Sequence, residues 1–279
     1  WGAVASISGW PRHERSHNHD DVLDIVSRQT ALNFQPGTEY SYSNTGYNLL
    51  AIVVARVSGT SFARFSTQNI FEPLGMANTQ WRDDHRRIVP GRSTAYRALE
   101  DGEFEILQPI EHVHGNGGLL TTVNDLLIWN QALDDGRLGG QAFTEMMHEQ
   151  GRLTDNSVIT YAGGLQVDLF RGVQRVSHTG STAGYRAFVA RYPEHQLSVA
   201  LLCNTSDANP GSIRDQIATI FIGEFLENPA LPEPVALTPG IVASYAGIYS
   251  EPVTGQTKHL ESEGENLYDN DNKLIPISS

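Results

Sequence analysis

Near residue 160 the apolar residues of this chain change their spacing from a helical period to a period of two, and that switch limits the folds open to it. After it, "AGGLQVDLF", "GVQRVSH", "YRAFVARYP" and "QLSVALLCN" are short alternating runs separated by Gly or by "PEHQ", the pattern of an antiparallel meander. The helical run "SIRDQIATIFIGEFLE" follows and is suited to cover one face of that sheet. Helices first, strands next and a covering helix last predict an α+β fold, with an antiparallel sheet flanked by helices beside a mostly helical region from about residue 20 to 157.

Within the helical region, "DDVLDIVSRQTA" places Val22, Leu23, Ile25 and Val26 near helical spacing behind acidic residues that favour a helix N-terminus. From Thr45, "TGYNLLAIVVARVSG" is apolar on nearly every face, which predicts a helix buried within the protein and closed by Gly59. "SFARFSTQNIFEPLGM" reads as an amphipathic helix stopped by Pro73 and Gly75, and residues 79 to 117 read as irregular. Thr122, three residues before Asp125, caps a helix that carries Leu126, Leu127, Trp129 and Leu133 to Gly136. One domain is expected over residues 1–226, its sheet and covering helix spanning about 158–226. A Pro-rich linker over 227–240 leads to the start of a small β-rich unit over 241–279, read as incomplete.

A chain of 279 residues that is 39% apolar can bury a real core. Its net charge of −13, spread along the sequence, argues against a nucleic-acid or anionic-membrane surface and for a small-molecule or peptide ligand. No apolar stretch reaches the length of a membrane span. The single Cys203 lies in an apolar run and reads as a small buried hydrophobe rather than a nucleophile. "RHERSHNHD" and "EHVHG" offer His13, His17, His19, Asp20, His112 and His114 at spacings zinc could use, but charged, solvated loops are the expectation, with no metal and no cofactor. Gly115, Gly117 and Gly118 lack the strand and lysine of a phosphate-binding loop. Only two lysines occur, Lys258 and Lys273, which removes lysine chemistry from the first 257 residues.

Four ordered blocks, "FQPGTEYSYSNTGYNLLAIVVARVSG", "IFEPLGMANT", "GNGGLLTTVNDLLIWNQAL" and "VSHTGSTAGYRAFVARYPEHQLSVALLCNTS", resemble the serine beta-lactamase and penicillin-binding-protein superfamily over about residues 2 to 226. The nearest branch resembles class C beta-lactamases, D-alanyl-D-alanine carboxypeptidases, D-aminopeptidases and beta-lactamase-like esterases. That resemblance implies three motifs: Ser-x-x-Lys on a helix, a Tyr-x-Asn corner, and a Lys-Thr-Gly or His-Thr-Gly strand. The second falls on Tyr42-Ser43-Asn44 and the third on His178-Thr179-Gly180. Ser-x-x-Lys is absent, because Gly255 and Asn270 stand three residues before the two lysines.

By the same resemblance, Tyr42 would shuttle protons for a serine that forms an acyl-enzyme, and Asn44 would bind the substrate carbonyl. Without the family, Tyr42 reads as a tyrosine capping a helix and Asn44 as a helix N-cap. His178 would lie on an edge strand and bind the Tyr42 hydroxyl or a substrate carboxylate. Thr179 and Gly180 would let substrate backbone lie along the strand, and the Ser181 N–H would be one oxyanion donor. A phenol with a pKa of about 10 needs cations to act as a base near neutrality, and histidine is only partly charged there, so Tyr42 is expected to be a poor base.

"GAVASISGWP" resembles a family segment that normally follows the nucleophile helix, which makes a chain lacking its N-terminal elements the expectation. A partner chain or dimer would then cover that part. The resemblance implies a periplasmic or secreted serine acyl hydrolase acting on an amide, lactam or ester carbonyl, inactive in this form by the family route. The competing expectations are a pseudoenzyme binding a peptide or cell-wall fragment, and new catalysis by Ser43 or Ser181 with His178.

Overall fold

The computed structural model of the chain describes residues 2–7, 9–10, 14–228, 235, 237–250, 257–269 and 272–274. Contacts divide it into two compact units, Trp1–Glu227 and Asn228–Ser279. The first unit begins with α1 (Gly2–Ile7), α2 (His19–Ser27), α3 (Asn44–Ser58) and α4 (Phe62–Ser66). A π-helical turn (Thr67–Phe71) joins α4 to α5 (Glu72–Leu74). Four short strands follow, β1 (Gln80–Trp81), β2 (Tyr96–Ala98), β3 (Phe104–Ile106) and β4 (Leu119–Leu120), and then α6 (Val123–Asp134) and α7 (Gln141–His148). The main sheet comprises β5 (Gln166–Phe170), β6 (Val173–Thr182), β7 (Tyr185–Tyr192) and β8 (Leu197–Cys203), and α8 (Pro210–Ile222) closes the unit.

The second unit has α9 (Pro239–Ser244) and strands β9 (Gly247–Ser250), β10 (Thr257–Glu263), β11 (Asn266–Asp269) and β12 (Asn272–Leu274). They form an antiparallel sheet in the order β12-β11-β10-β9. Residues 229–234 and 236 of the expected Pro-rich linker lie outside the described residues, and α9 is a helix that the sequence pattern did not suggest.

The main sheet is antiparallel in the order β5-β6-β7-β8, and the mixed helix-and-sheet architecture is the expected α+β class. Alternation along β7 sends Phe188, Ala190 and Tyr192 to one face, where they pack with Val173, Val199, Ala218, Ile222 and Leu226. Two of these come from α8, so the helix buries its apolar stripe on the sheet as its period suggests. Arg191 points to the other face, only 3% exposed, and holds Asp134 of α6 (3.2 Å) and His148 of α7 (2.8 Å). Burial pushes the Arg191 guanidinium down despite its carboxylate partner. Cys203 is half-exposed, contrary to its reading as a buried hydrophobe.

Local chemistry starts the helices. Asn18 accepts from the Asp20 and Asp21 amides while the Asp21 carboxylate accepts from the Asn18 amide, a reciprocal cap that sinks Val22 and Ile25. Thr122 Oγ1 accepts from the Asp125 amide, and the buried Asp125 carboxylate takes the Asn78 amide and the Thr79 hydroxyl, tying α6 to the chain after Gly75. Pro73 does not stop the preceding helix. It sits in the first turn of α5, where its missing N–H costs nothing, after the helix has widened into the π turn.

The helix α3 departs furthest from expectation. Only Asn48 and Ala51 are buried, whereas Leu50 (55%), Val53 (52%) and Val57 (84%) are exposed. Within the described unit it lies at the surface, pressed on one stripe by the loop that contains Gly115. Burial on every face was inferred from composition alone, which does not say how many sides have neighbours.

The tip of the β6–β7 hairpin is clamped to β2. A Cβ on Gly184 would meet the Tyr96 carbonyl oxygen at 2.5 Å and the Tyr96 nitrogen at 2.7 Å. Both are backbone atoms, so relief requires moving a strand. Gly184→Ala is expected to lower stability by roughly 1–3 kcal/mol in urea unfolding; an unchanged midpoint would show that the tip is not held this way.

Candidate active site

The corner before α3 is built by Ser43, whose hydroxyl accepts from the Gly46 amide at 3.2 Å and so caps the helix. Asn44 is therefore the first helical residue rather than the cap, and its side chain is free to face Tyr42. The Tyr42 hydroxyl donates to Asn44 Oδ1 at 3.2 Å. Burial first, then the neighbouring Tyr47, pushes the Tyr42 phenol above its ordinary pKa. Both effects disfavour phenolate.

One turn on, buried Asn48 accepts from the Asn116 amide at 3.3 Å. Gly115 sits at φ +116° with its hydrogen where a Cβ would be 2.7 Å from Ala51 Cβ. Gly115 is thus a close-packing device against α3, a role that the lack of a phosphate-loop pattern does not reveal.

The opposite wall is the end of β6. Strand β5 pairs with Val173 to Ser177 of β6 and stops at the Gln166–Ser177 pair, whereas β7 continues to pair as far as Thr182. His178, Thr179, Gly180 and Ser181 thus lie on an interior strand that becomes an edge at His178. In a two-residue hairpin closed by Thr182 and Tyr185, alternation turns the Thr179 and Ser181 amides away from β7, toward that free edge.

His178 Nδ1 lies 2.6 Å from the Thr179 carbonyl oxygen, which can only accept, so Nδ1 carries a proton. His178 Nε2 lies 3.0 Å from the Tyr161 hydroxyl. In the neutral ring Nε2 is the acceptor and Tyr161 donates. This corrects the expected His178–Tyr42 hydrogen bond: Tyr161 takes the ring nitrogen, Tyr42 turns to Asn44, and the two rings approach with centroids 6.0 Å apart.

Tyr161 was missed by the sequence reading. It sits before β5, bridged to Gln166, with its ring centroid 5.8 Å from Tyr42 and 5.6 Å from Tyr40. Burial and then the surrounding phenols, Tyr47 foremost, push its hydroxyl far up. The only sequence trace is an aromatic residue directly before "AGGL", a turn that returns the chain to the sheet edge.

The remaining histidines differ from the solvated loops expected. His17 and His114 are buried, His19 Nε2 lies 2.7 Å from the His114 carbonyl oxygen, and the His114 ring packs beside Phe62 and Trp81. Burial depresses the His114 pKa. His13 lies outside the described residues.

A Tyr-x-Asn corner facing a His-Thr-Gly strand edge, between a helical region and an antiparallel sheet, defines a penicillin-binding-protein-like fold. The sequence model of the family described as Beta-lactamase matches residues 6–223, and the chain belongs to that family. It is 28% identical over 285 aligned residues to "Penicillin-binding protein 4*" of Bacillus subtilis (strain 168), covering 94% of this chain and 62% of the relative. It is 24% identical to the "D-aminopeptidase" of Gluconobacter oxydans (strain 621H), covering 93% of this chain and 47% of that protein. The octameric penicillin-binding protein homologue from Pyrococcus abyssi superposes with a TM-score of 0.67 at 23% identity, covering 95% of this chain and 60% of the neighbour. The D-amino acid amidase from Ochrobactrum anthropi SV3, complexed with D-phenylalanine, superposes at 0.60 and 19% identity over 76% of this chain and 66% of the amidase. The chain therefore spans about half to two-thirds of the length of these relatives. No single described helix is long and apolar enough to cross a membrane.

Proposed function

We propose that this chain carries the proton-transfer and strand-edge half of a serine acyl hydrolase of the beta-lactamase, D-aminopeptidase or esterase type. The observation that carries the proposal is the facing of Tyr42 and His178, ring centroids 6.0 Å apart, across the end of β6. Tyr42 would take the proton of an attacking serine and return it to the leaving group, while Asn44, already its hydrogen-bond partner, would orient it and the substrate amide. The Ser181 N–H would be one oxyanion donor, and Thr179 and Gly180 would leave room for substrate backbone along the edge. The serine must come from a Ser-x-x-Lys element that these 279 residues do not contain. The substrate would carry an amide, lactam or ester carbonyl, and His178 in place of lysine favours a peptidase or esterase over a typical class C beta-lactamase.

A second reading, a non-catalytic binder of a peptide or cell-wall fragment, is favoured by the use of Ser43 as a helix cap and by the missing motif. Joining a family Ser-x-x-Lys helix to the chain and measuring hydrolysis of a D-amino acid amide separates the two. Turnover supports the first; saturable binding with no turnover supports the second.

Tyr161 would be a positioning residue that fixes the His178 tautomer. In Tyr161→Phe, Nε2 loses its donor at 3.0 Å, and nitrogen-15 NMR is expected to show a smaller fraction of the Nδ1–H tautomer. An unchanged tautomer ratio would remove Tyr161 from this role.

A further inference from the structure

We propose that Asp84, His85 and His112 form a binding site for a divalent transition-metal ion of the zinc kind, which ties the turn at Asp84 to the segment ending at His114. The adjacent Asp84 and His85 meet His112 from a separate stretch of the chain, each of the three offers one ligand atom, and those atoms lie within 4.8 Å of one another. Asp84 Oδ1 is 3.6 Å from His112 Nδ1, and the two imidazole rings have centroids 4.7 Å apart. His85 adds an independent observation: its Nδ1 is buried and makes no hydrogen bond among the described residues. A cavity of about 230 Å³, lined in part by His85, Arg92, Thr94 and Gln108, lies beside it and gives an ion and its water a way in.

Two imidazoles and a carboxylate are a donor set that zinc accepts, with the fourth position left to water. Ligand atoms about 2.1 Å from a tetrahedral zinc stand about 3.4 Å from one another. The Asp84–His112 pair at 3.6 Å already has that spacing, and side-chain rotation closes the rest. His112 Nδ1 also lies 3.1 Å from the Asp83 carbonyl oxygen, so the metal takes the place of the proton that this hydrogen bond requires.

Arg86 is the built-in competitor. Its Nε lies 3.0 Å from Asp84 Oδ1 and its Nη2 3.1 Å from Oδ2, so guanidinium and metal contend for one carboxylate. Removing the competitor and removing a ligand must therefore act in opposite directions.

The test is isothermal titration of the full chain, free of any histidine tag, with zinc chloride. It is run beside His85→Ala, His112→Ala and Arg86→Ala, with His195→Ala as a control and circular dichroism on each variant. One zinc per chain is expected, weakened at least about tenfold in His85→Ala and His112→Ala and tightened several-fold in Arg86→Ala, with His195→Ala unchanged. Absence of one-to-one binding, or an affinity in both histidine variants equal to that of the parent chain, overturns the proposal. Arg86 is exposed, so its variant keeps the fold even if a histidine variant does not, and zinc affinity no tighter in Arg86→Ala also overturns it.

Discussion

Tyr42→Phe, in a form of the chain joined to a Ser-x-x-Lys helix, is expected to slow acylation by about 10²–10⁴-fold while leaving KM nearly unchanged. The phenylalanine ring keeps the packing against Tyr161 and His178, whose centroids stand 5.8 and 6.0 Å from that of Tyr42. Only the oxygen that donates to Asn44 is lost. The pH profile gives the sign. Burial and Tyr47 raise the Tyr42 pKa, so the phenolate falls about tenfold with each pH unit below it and the rate of the parent protein rises toward alkaline pH. The variant should lack that rise. Stopped-flow acylation with an activated ester from pH 6 to 10 reads both effects (about 10²-fold or more in rate, and the slope). A variant with the same slope would mean that another group takes the proton.

Gly115→Ala should lower stability by roughly 2–4 kcal/mol, the largest loss we expect from a single methyl group in this fold. Two costs add. At φ +116° an L side chain is strained, and the new Cβ would stand 2.7 Å from Ala51 Cβ and 3.0 Å from the Tyr47 carbonyl oxygen. Relief moves either α3 or the loop, and α3 carries Asn44, Tyr47 and Asn48. Urea unfolding measures the loss, and the His178 tautomer should shift in the same variant because Tyr47 of α3 is the foremost phenol beside Tyr161, whose hydroxyl holds the His178 ring. A loss confined to stability, with an untouched tautomer, would show that the loop yields and α3 does not.

The parts of this molecule that were legible in sequence are those set by neighbours along the chain. Alternation over Tyr185–Tyr192 and Leu197–Cys203 reports a sheet because a strand's period is local. Thr122 before Asp125 marks a helix start because the cap closes within three residues. Tyr42, Asn44 and His178, which the fold brings together, stand out in sequence because their motifs are short strings.

What failed depends on distance. Tyr161 reaches His178 only after β5 folds back along β6, and nothing near position 161 encodes that partner. The exposure of Val53 and Val57 depends on which elements lie beside α3, a count that apolar composition does not contain. Asp84 and His85 join His112 through the path of an irregular loop, where no period exists to read.

The proposed site serves a serine from outside these 279 residues, and intact-mass spectrometry tests that proposal most directly. After incubation with a penicillin or an activated ester, the chain is predicted to keep its mass, and the form joined to a Ser-x-x-Lys helix to gain one acyl group on the motif serine. An acyl group mapped to Ser43 or Ser181 of the chain alone would contradict it.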